Sequence, residues 1–76
     1  MEPGEAFGKV LRAKRNALSL SQEQLAFEAG IERVYVSWLE NGHKQPTFQT
    51  MLKLARALGC SASELVAAAE ELLASD

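Results

Sequence analysis

Apolar residues recur along the chain at the three- and four-residue spacing of amphipathic helices, and five stretches carry this pattern. The pattern predicts helices over about 5–18, 21–29, 32–41, 48–58 and 62–74. Cap residues precede three of these stretches: Ser21 and Ser61, each followed three residues later by Gln or Glu as in a capping box, and Thr47. Glycines that permit a left-handed helix end follow three of them: Gly30, Gly42 and Gly59. No stretch predicts a strand, so the expected fold class is all-α.

The fifth predicted helix is more apolar than a small monomer requires. The chain has 76 residues, enough for one domain with a thin core, and association would bury more apolar surface. The apolar stripe of the fifth helix consists of Leu65, Val66, Ala69, Leu72 and Leu73. We expect Leu65 and Val66 to pack inside the monomer, and Ala69, Leu72 and Leu73 to form a homodimer interface. That the helix simply completes the monomer core remains open.

Charge is distributed unevenly along the chain. The net charge is −2, but all eight Lys and Arg residues lie between Lys9 and Arg56, where only four acidic residues accompany them. The central segment therefore carries +4, and the remaining six acids lie towards the two ends. This distribution is compatible with a positive face for nucleic acid and also with ordinary scatter of surface charge.

The residue inventory argues against an enzyme and against a cofactor. The chain has no glycine-rich phosphate loop and no Ser/His/Asp or Cys/His set. Its one cysteine, Cys60, and one histidine, His43, cannot form a structural zinc site or a disulfide framework. No apolar run is long enough to cross a membrane, and no small-molecule ligand is evident. We expect a cytoplasmic protein without a metal or cofactor.

The second and third helices form the segment most suggestive of function. They are short and joined around Gly30 and Ile31, so segment 21–41 has the form of a helix-turn-helix. In such units the first helix crosses the DNA backbone and the second enters the major groove. From spacing alone, a plain helical hairpin within a bundle remains open, because helix pairs of this kind are common.

Several short motifs in order resemble the Cro/C1-type helix-turn-helix family of phage repressors, XRE-like regulators and restriction–modification controller proteins. They are LSQEQLA at 20–26, AG at 29–30, YVS at 35–37, LENG at 39–42, PT at 46–47 and LARALG at 54–59. The length indicates a single domain over 1–76, and the resemblance implies that it folds as a compact five-helix bundle of the lambda-repressor-like type. The resemblance also implies a sequence-specific transcriptional regulator that binds double-stranded DNA. A homodimer formed through the fifth helix would bind a near-palindromic operator. The alternative is an antitoxin-type module whose main partner is a toxin protein.

The resemblance also assigns residues to DNA bases. The positions that would read bases are Arg33, Val34, Ser37 and Trp38, with Glu32 at the start of the recognition helix. Arg33 is the principal candidate, because a guanidinium can donate two hydrogen bonds to guanine. For Trp38, contact with DNA and packing on the protein both remain open. Glu32 departs from the family, which usually has Ser or Thr at this cap.

Further positions are assigned to phosphates and to a structural link. The phosphate contacts implied by the resemblance are Gln22, Asn41, Lys44, Gln45 and Lys14. The resemblance also implies that Arg15 and Glu40 form an ion pair that fastens the first helix to the recognition helix. Ser19 stands where the family usually has glycine, which leaves the end of the first helix uncertain.

Overall fold

The computed structural model describes residues 1–76 and contains five helices and no strand, as the sequence predicts. The helices are α1 (Pro3–Ala17), α2 (Gln22–Ala29), α3 (Arg33–Glu40), α4 (Phe48–Leu58) and α5 (Ala62–Ser75). α1 begins two residues earlier than expected, because Pro3 fits the first helical turn, where its missing N–H has no partner to lose. None of the helices combines the length and apolar character needed to cross a membrane.

Each helix contributes one fully buried leucine to the core. Leu11, Leu25, Leu39, Leu54 and Leu65 have no exposed surface, and together they join α1 to α5 in order. Burying a leucine side chain contributes about 1.5–3 kcal/mol. These five residues therefore fix the relative positions of all five helices around one centre.

Four helices end in the same hydrogen-bonded turn. After α2, α3 and α4, the left-handed residue is a glycine (Gly30, Gly42 or Gly59), whereas after α1 it is Ser19, with φ of 59°. In each turn the following N–H donates five residues back and the left-handed residue donates three residues back, for example Leu20 to Arg15 and Ser19 to Asn16. α1 therefore ends at Ala17 in the usual geometry but with an L-residue in a position that favours glycine.

α1 approaches α3 very closely at Gly8. A Cβ atom at Gly8 would lie 2.4 Å from the carbonyl oxygen of Leu39 and 2.7 Å from that of Glu40. At Gly4, one turn earlier, the nearest atom to a Cβ would belong to the flexible side chain of Gln45, at 3.0 Å, and the nearest backbone atom, the Gly42 carbonyl oxygen, would lie at an ordinary 3.7 Å. The missing side chain at Gly8 thus lets the end of α3 rest on the backbone of α1.

The structure corrects two expectations for α5. Val66 is 38% exposed instead of packed inside, whereas Ala69, expected at a dimer interface, is only 9% exposed. Leu65 is buried as expected. Leu72 and Leu73 are both partly buried but line different grooves, the first between α5 and the later turns of α1, the second beside Phe7 and the α3–α4 loop. The apolar surface of α5 is therefore divided between two sides of the bundle.

Candidate nucleic-acid interface

α2 and α3 form a compact helix-turn-helix. Each has eight residues, and Gly30, Ile31 and Glu32 connect them. The capping box predicted at the start of α2 is present: the Gln24 N–H donates to Ser21 Oγ at 3.0 Å, and the Ser21 N–H donates to Gln24 Oε1 at 2.8 Å. This capping fixes the N-terminus of α2, whose dipole favours a nearby anion.

A buried carboxylate joins this unit to α1. The Glu40 side chain has no exposed surface. Arg15 donates from Nε to Oε2 at 2.6 Å and from Nη2 to Oε1 at 2.9 Å, so the expected ion pair is present. Gln22 Nε2 at 3.1 Å and Arg12 Nε at 3.3 Å also donate to Oε1. Glu40 thus ties together α1, the first turn of α2 and the last turn of α3.

These contacts keep Glu40 ionised. Burial by itself would raise the pKa of the Glu40 carboxyl, but hydrogen bonds from Arg15, Gln22 and Arg12 and the charge of Arg15 outweigh it, so the pKa is lowered. The hydrogen bond to Glu40 in turn raises the pKa of Arg15. Arg15 also donates from Nη1 to the Leu20 carbonyl at 2.8 Å, which fastens the segment before α2 to the same cluster.

The residues predicted to read bases lie on or beside the outer face of α3. Glu32, Arg33, Val34 and Trp38 are exposed, and Ser37 is partly exposed. Val34 and Trp38 are one helical turn apart and are 46% and 40% exposed. The Glu32 side chain makes no capping hydrogen bond, consistent with its poor fit at a cap position. The opposite side of α3 enters the core through the buried Val36 and Leu39.

Arg12 belongs to this surface although sequence reasoning did not select it. Its side chain is 49% exposed, and its Nη2 donates to Asn41 Oδ1 at 3.1 Å, while Asn41 Nδ2 donates to Ser37 Oγ at 3.4 Å. These bonds place a cation at the end of α3. The available signal was spacing: Arg12 lies one turn before Arg15, on the same side of α1.

The residues predicted to contact phosphates are only partly brought together. The Gln22 side chain donates to Glu40, and the Asn41 side chain accepts from Arg12. The Nζ atom of Lys44 lies 5.3 Å from the centre of a Trp38 ring. Gln45 lies beside Gly4, at the start of α1. Lys14 lines the groove between α1 and α5 instead.

Known proteins share both the sequence pattern and this arrangement. Residues 11–65 match the family model described as helix-turn-helix. The control protein C.SmaI of Serratia marcescens is 36% identical over 66 residues, which is 87% of this chain and 79% of that protein. The crystal structure of the restriction–modification controller protein C.AhdI from Aeromonas hydrophila superposes with a TM-score of 0.80 at 44% identity, covering 82% of this chain and 94% of that one.

A repressor solved with DNA is similar as well. The P22 c2 repressor in complex with a synthetic operator superposes with a TM-score of 0.74 at 32% identity, covering 79% of this chain and 91% of the repressor. The family match, over residues 11–65, includes all of α2, α3 and α4 and the second half of α1, so the chain belongs to the helix-turn-helix family.

Proposed function

We propose that this protein is a sequence-specific DNA-binding transcriptional regulator of the repressor or controller type, which reads the major groove with α3. The observation that carries the proposal is the fixed outer face of α3, held against α1 and the start of α2 by the buried Glu40. A rigid helix that presents Arg33, Val34, Ser37 and Trp38 outward has the form that groove reading requires. The matched control proteins and repressor support this function.

Arg33 is proposed as the main base-reading residue. It is exposed at the first position of α3 and forms no salt bridge within the chain, so its guanidinium donors are available to a partner. A bidentate contact to guanine O6 and N7 is the commonest specific contact in the major groove. Val34 would contact a thymine methyl, and Ser37 a base or a phosphate.

Phosphate contacts would come from both ends of this face. The Gln22 side chain is held by Glu40 at the start of α2, where the helix N-terminus favours a phosphate. Arg12 and Lys44 supply cations near the end of α3. We favour Arg12 over Lys14 for this role, because Lys14 lies on the α5 side of α1.

The dimer interface is proposed on the joined faces of α4 and α5. Phe48 and Leu52 are 70% and 48% exposed and lie one turn apart on α4, and Val66 is 38% exposed on α5. Met51, between them on α4, lines one groove with Val66 and Leu73. Exposed apolar side chains of this kind are what oligomers cover. A two-fold dimer would place its recognition helices about 34 Å apart, one turn of DNA.

Two matched variants test this interface by sedimentation. Val66→Asp should convert the dimer to a monomer, because it places a charge within the proposed contact. Leu72→Asp should leave the mass of the assembly unchanged, since Leu72 lies in the α1–α5 groove. Dissociation by Leu72→Asp but not by Val66→Asp would contradict the assignment.

Selection from randomised DNA duplexes tests the function itself. The purified chain, at about 150 mM salt, should enrich a two-fold symmetric motif with half-sites about ten base pairs apart. Enrichment of no motif would contradict the proposal and would direct attention to a protein partner. The antitoxin alternative is not favoured, because the matched proteins described above are control proteins and a repressor.

A further inference from the structure

The only tryptophan of the chain lies on the outer face of α3 and is covered by a lysine instead of by the core. Trp38 is 40% exposed, and Lys44 Nζ lies 5.3 Å from the centre of its ring. A cation at this distance from an indole face is attracted by the negative potential of the ring. One face of Trp38 is thus occupied by the ammonium group.

Backbone hydrogen bonds hold the two residues in this arrangement. The His43 N–H donates to the Trp38 carbonyl at 2.9 Å, and the Gly42 N–H donates to the Leu39 carbonyl at 3.1 Å. The left-handed Gly42, with φ of 76°, makes this turn possible. The chain therefore folds back at the end of α3, and the side chain of Lys44 returns to the residue whose carbonyl anchors the loop.

The contact with an aromatic ring leaves the positive charge of Lys44 available to an anion. Lys44 forms no salt bridge within the chain, whereas Arg12 and Arg15 both donate to Glu40. A carboxylate would neutralise the ammonium group, but an indole ring restrains it without cancelling its charge. A free lysine side chain has many rotamers and loses them when it binds a phosphate. Because Lys44 is already restrained, the entropic cost of ordering its side chain on binding is smaller.

We propose that Trp38 is a positioning residue, which holds the Lys44 ammonium at the C-terminal edge of α3 for a DNA phosphate and does not itself select a base. The inference rests on the proposed function. It adds that the two ends of α3 have different roles. Arg33 selects a base at the start of the helix, and the pair of Trp38 and Lys44 binds a phosphate at its end.

The pair itself is tested in the free protein by NMR. The ε-methylene protons of Lys44 should be shifted upfield by the ring current of Trp38. The shift should disappear in Trp38→Leu and persist in part in Trp38→Phe, which keeps an aromatic face. Unshifted Lys44 resonances in the wild-type protein would overturn the inference, whatever the protein binds.

The role in binding is tested with the duplex that selection enriches. Trp38→Leu should weaken binding about two- to fivefold at all operator variants alike, and should have no further effect in a Lys44→Ala background. Lys44→Ala should reduce the slope of log K against log salt by about 0.9 per protomer. Lys9→Ala, which removes the same charge from the α1–α5 groove, should leave the slope unchanged.

Beside the NMR result, three binding results would overturn the inference. They are a change of base preference in Trp38→Leu, a loss of affinity on adding Trp38→Leu to Lys44→Ala that equals its loss in the wild type, and no loss of affinity at all in a folded Trp38→Leu protein. A wild-type chain with no sequence preference would instead contradict the proposed function, and the inference with it. Thermal unfolding of each variant shows that it is folded before binding is compared.

Discussion

Removing the charge of Glu40 should destabilise the protein more than any surface change. In Glu40→Gln the side chain keeps its size but loses the carboxylate that accepts hydrogen bonds from Arg15, Arg12 and Gln22. The new amide nitrogen would face arginine donors, and Arg15, whose side chain is only 12% exposed, would lose its counter-charge. A buried charge without a partner is the reason for the expected loss.

The magnitude follows from how buried each partner is. Removing one member of a buried ion pair costs about 3–5 kcal/mol. We expect the lower end, about 3 kcal/mol, because Arg15 keeps its bond to the Leu20 carbonyl and Arg12 is half exposed. For a domain of this size each kcal/mol lowers the Tm by about 4–8 °C, so the Tm should fall by about 12–24 °C.

Urea and thermal unfolding followed by circular dichroism at pH 7 measure this loss. Glu71→Gln, on the exposed side of α5, serves as the control and should change the free energy of unfolding by less than about 0.5 kcal/mol. Replacing Arg15 and Glu40 together by methionine should recover much of the stability, since neither charge is then left alone. A loss below about 1 kcal/mol in Glu40→Gln, the size expected of an exposed ion pair, would show that Glu40 is not a buried charge on which the fold depends.

The same substitution should change the dependence of stability on pH. Hydrogen bonds and the charge of Arg15 hold the pKa of Glu40 below its usual range despite burial. Its contribution is therefore fully present above the unfolded pKa of about 4.3, and it is lost as the pH falls through the lower, folded value. The difference in stability between wild type and Glu40→Gln should be constant near neutral pH and should narrow below about pH 4. A constant difference down to pH 2 would contradict this assignment.

Three further substitutions test the packing and the helix ends, each by urea unfolding. Gly8→Ala should cost about 2 kcal/mol or more, because its Cβ would clash with the backbone carbonyl oxygens of α3, whereas Gly4→Ala should be nearly neutral; equal effects would contradict the close approach. Ser19→Gly should stabilise the protein by about 0.5–1 kcal/mol by relieving the left-handed φ of 59°, and a loss of stability would contradict that strain. Ser61→Ala should cost about 1 kcal/mol through loss of the α5 capping box, and an unchanged free energy of unfolding would contradict the role of that box.

Local signals in the sequence predicted the helices well. Cap residues such as Ser21, Thr47 and Ser61 act through hydrogen bonds to residues three positions away. Their effect can therefore be predicted without knowing the tertiary structure. The same holds for the glycines that end α2 and α4, which supply a left-handed conformation at a fixed place in the chain. Apolar spacing then identified which stretches were helical.

Features that depend on how the helices meet were harder to predict. The sequence pattern alone does not say that Gly8 faces the end of α3, because any side of α1 could receive a neighbour. Arg12 was missed for the same reason, since its partners Glu40 and Asn41 are more than 25 residues away. Val66, expected inside, is 38% exposed because periodicity gives the spacing of an apolar stripe but not its exact orientation.

Whether α3 reads bases from its first residue is decided by the DNA specificity of Arg33→Ala. Binding of the wild type and of this variant is measured on the enriched duplex and on every single-base change of one half-site. Arg33→Ala should lose about 1–3 kcal/mol of discrimination at one position in each half-site and should keep its preferences elsewhere. A uniform loss of affinity with every base preference intact would place Arg33 on the phosphate backbone and contradict base reading at the start of α3.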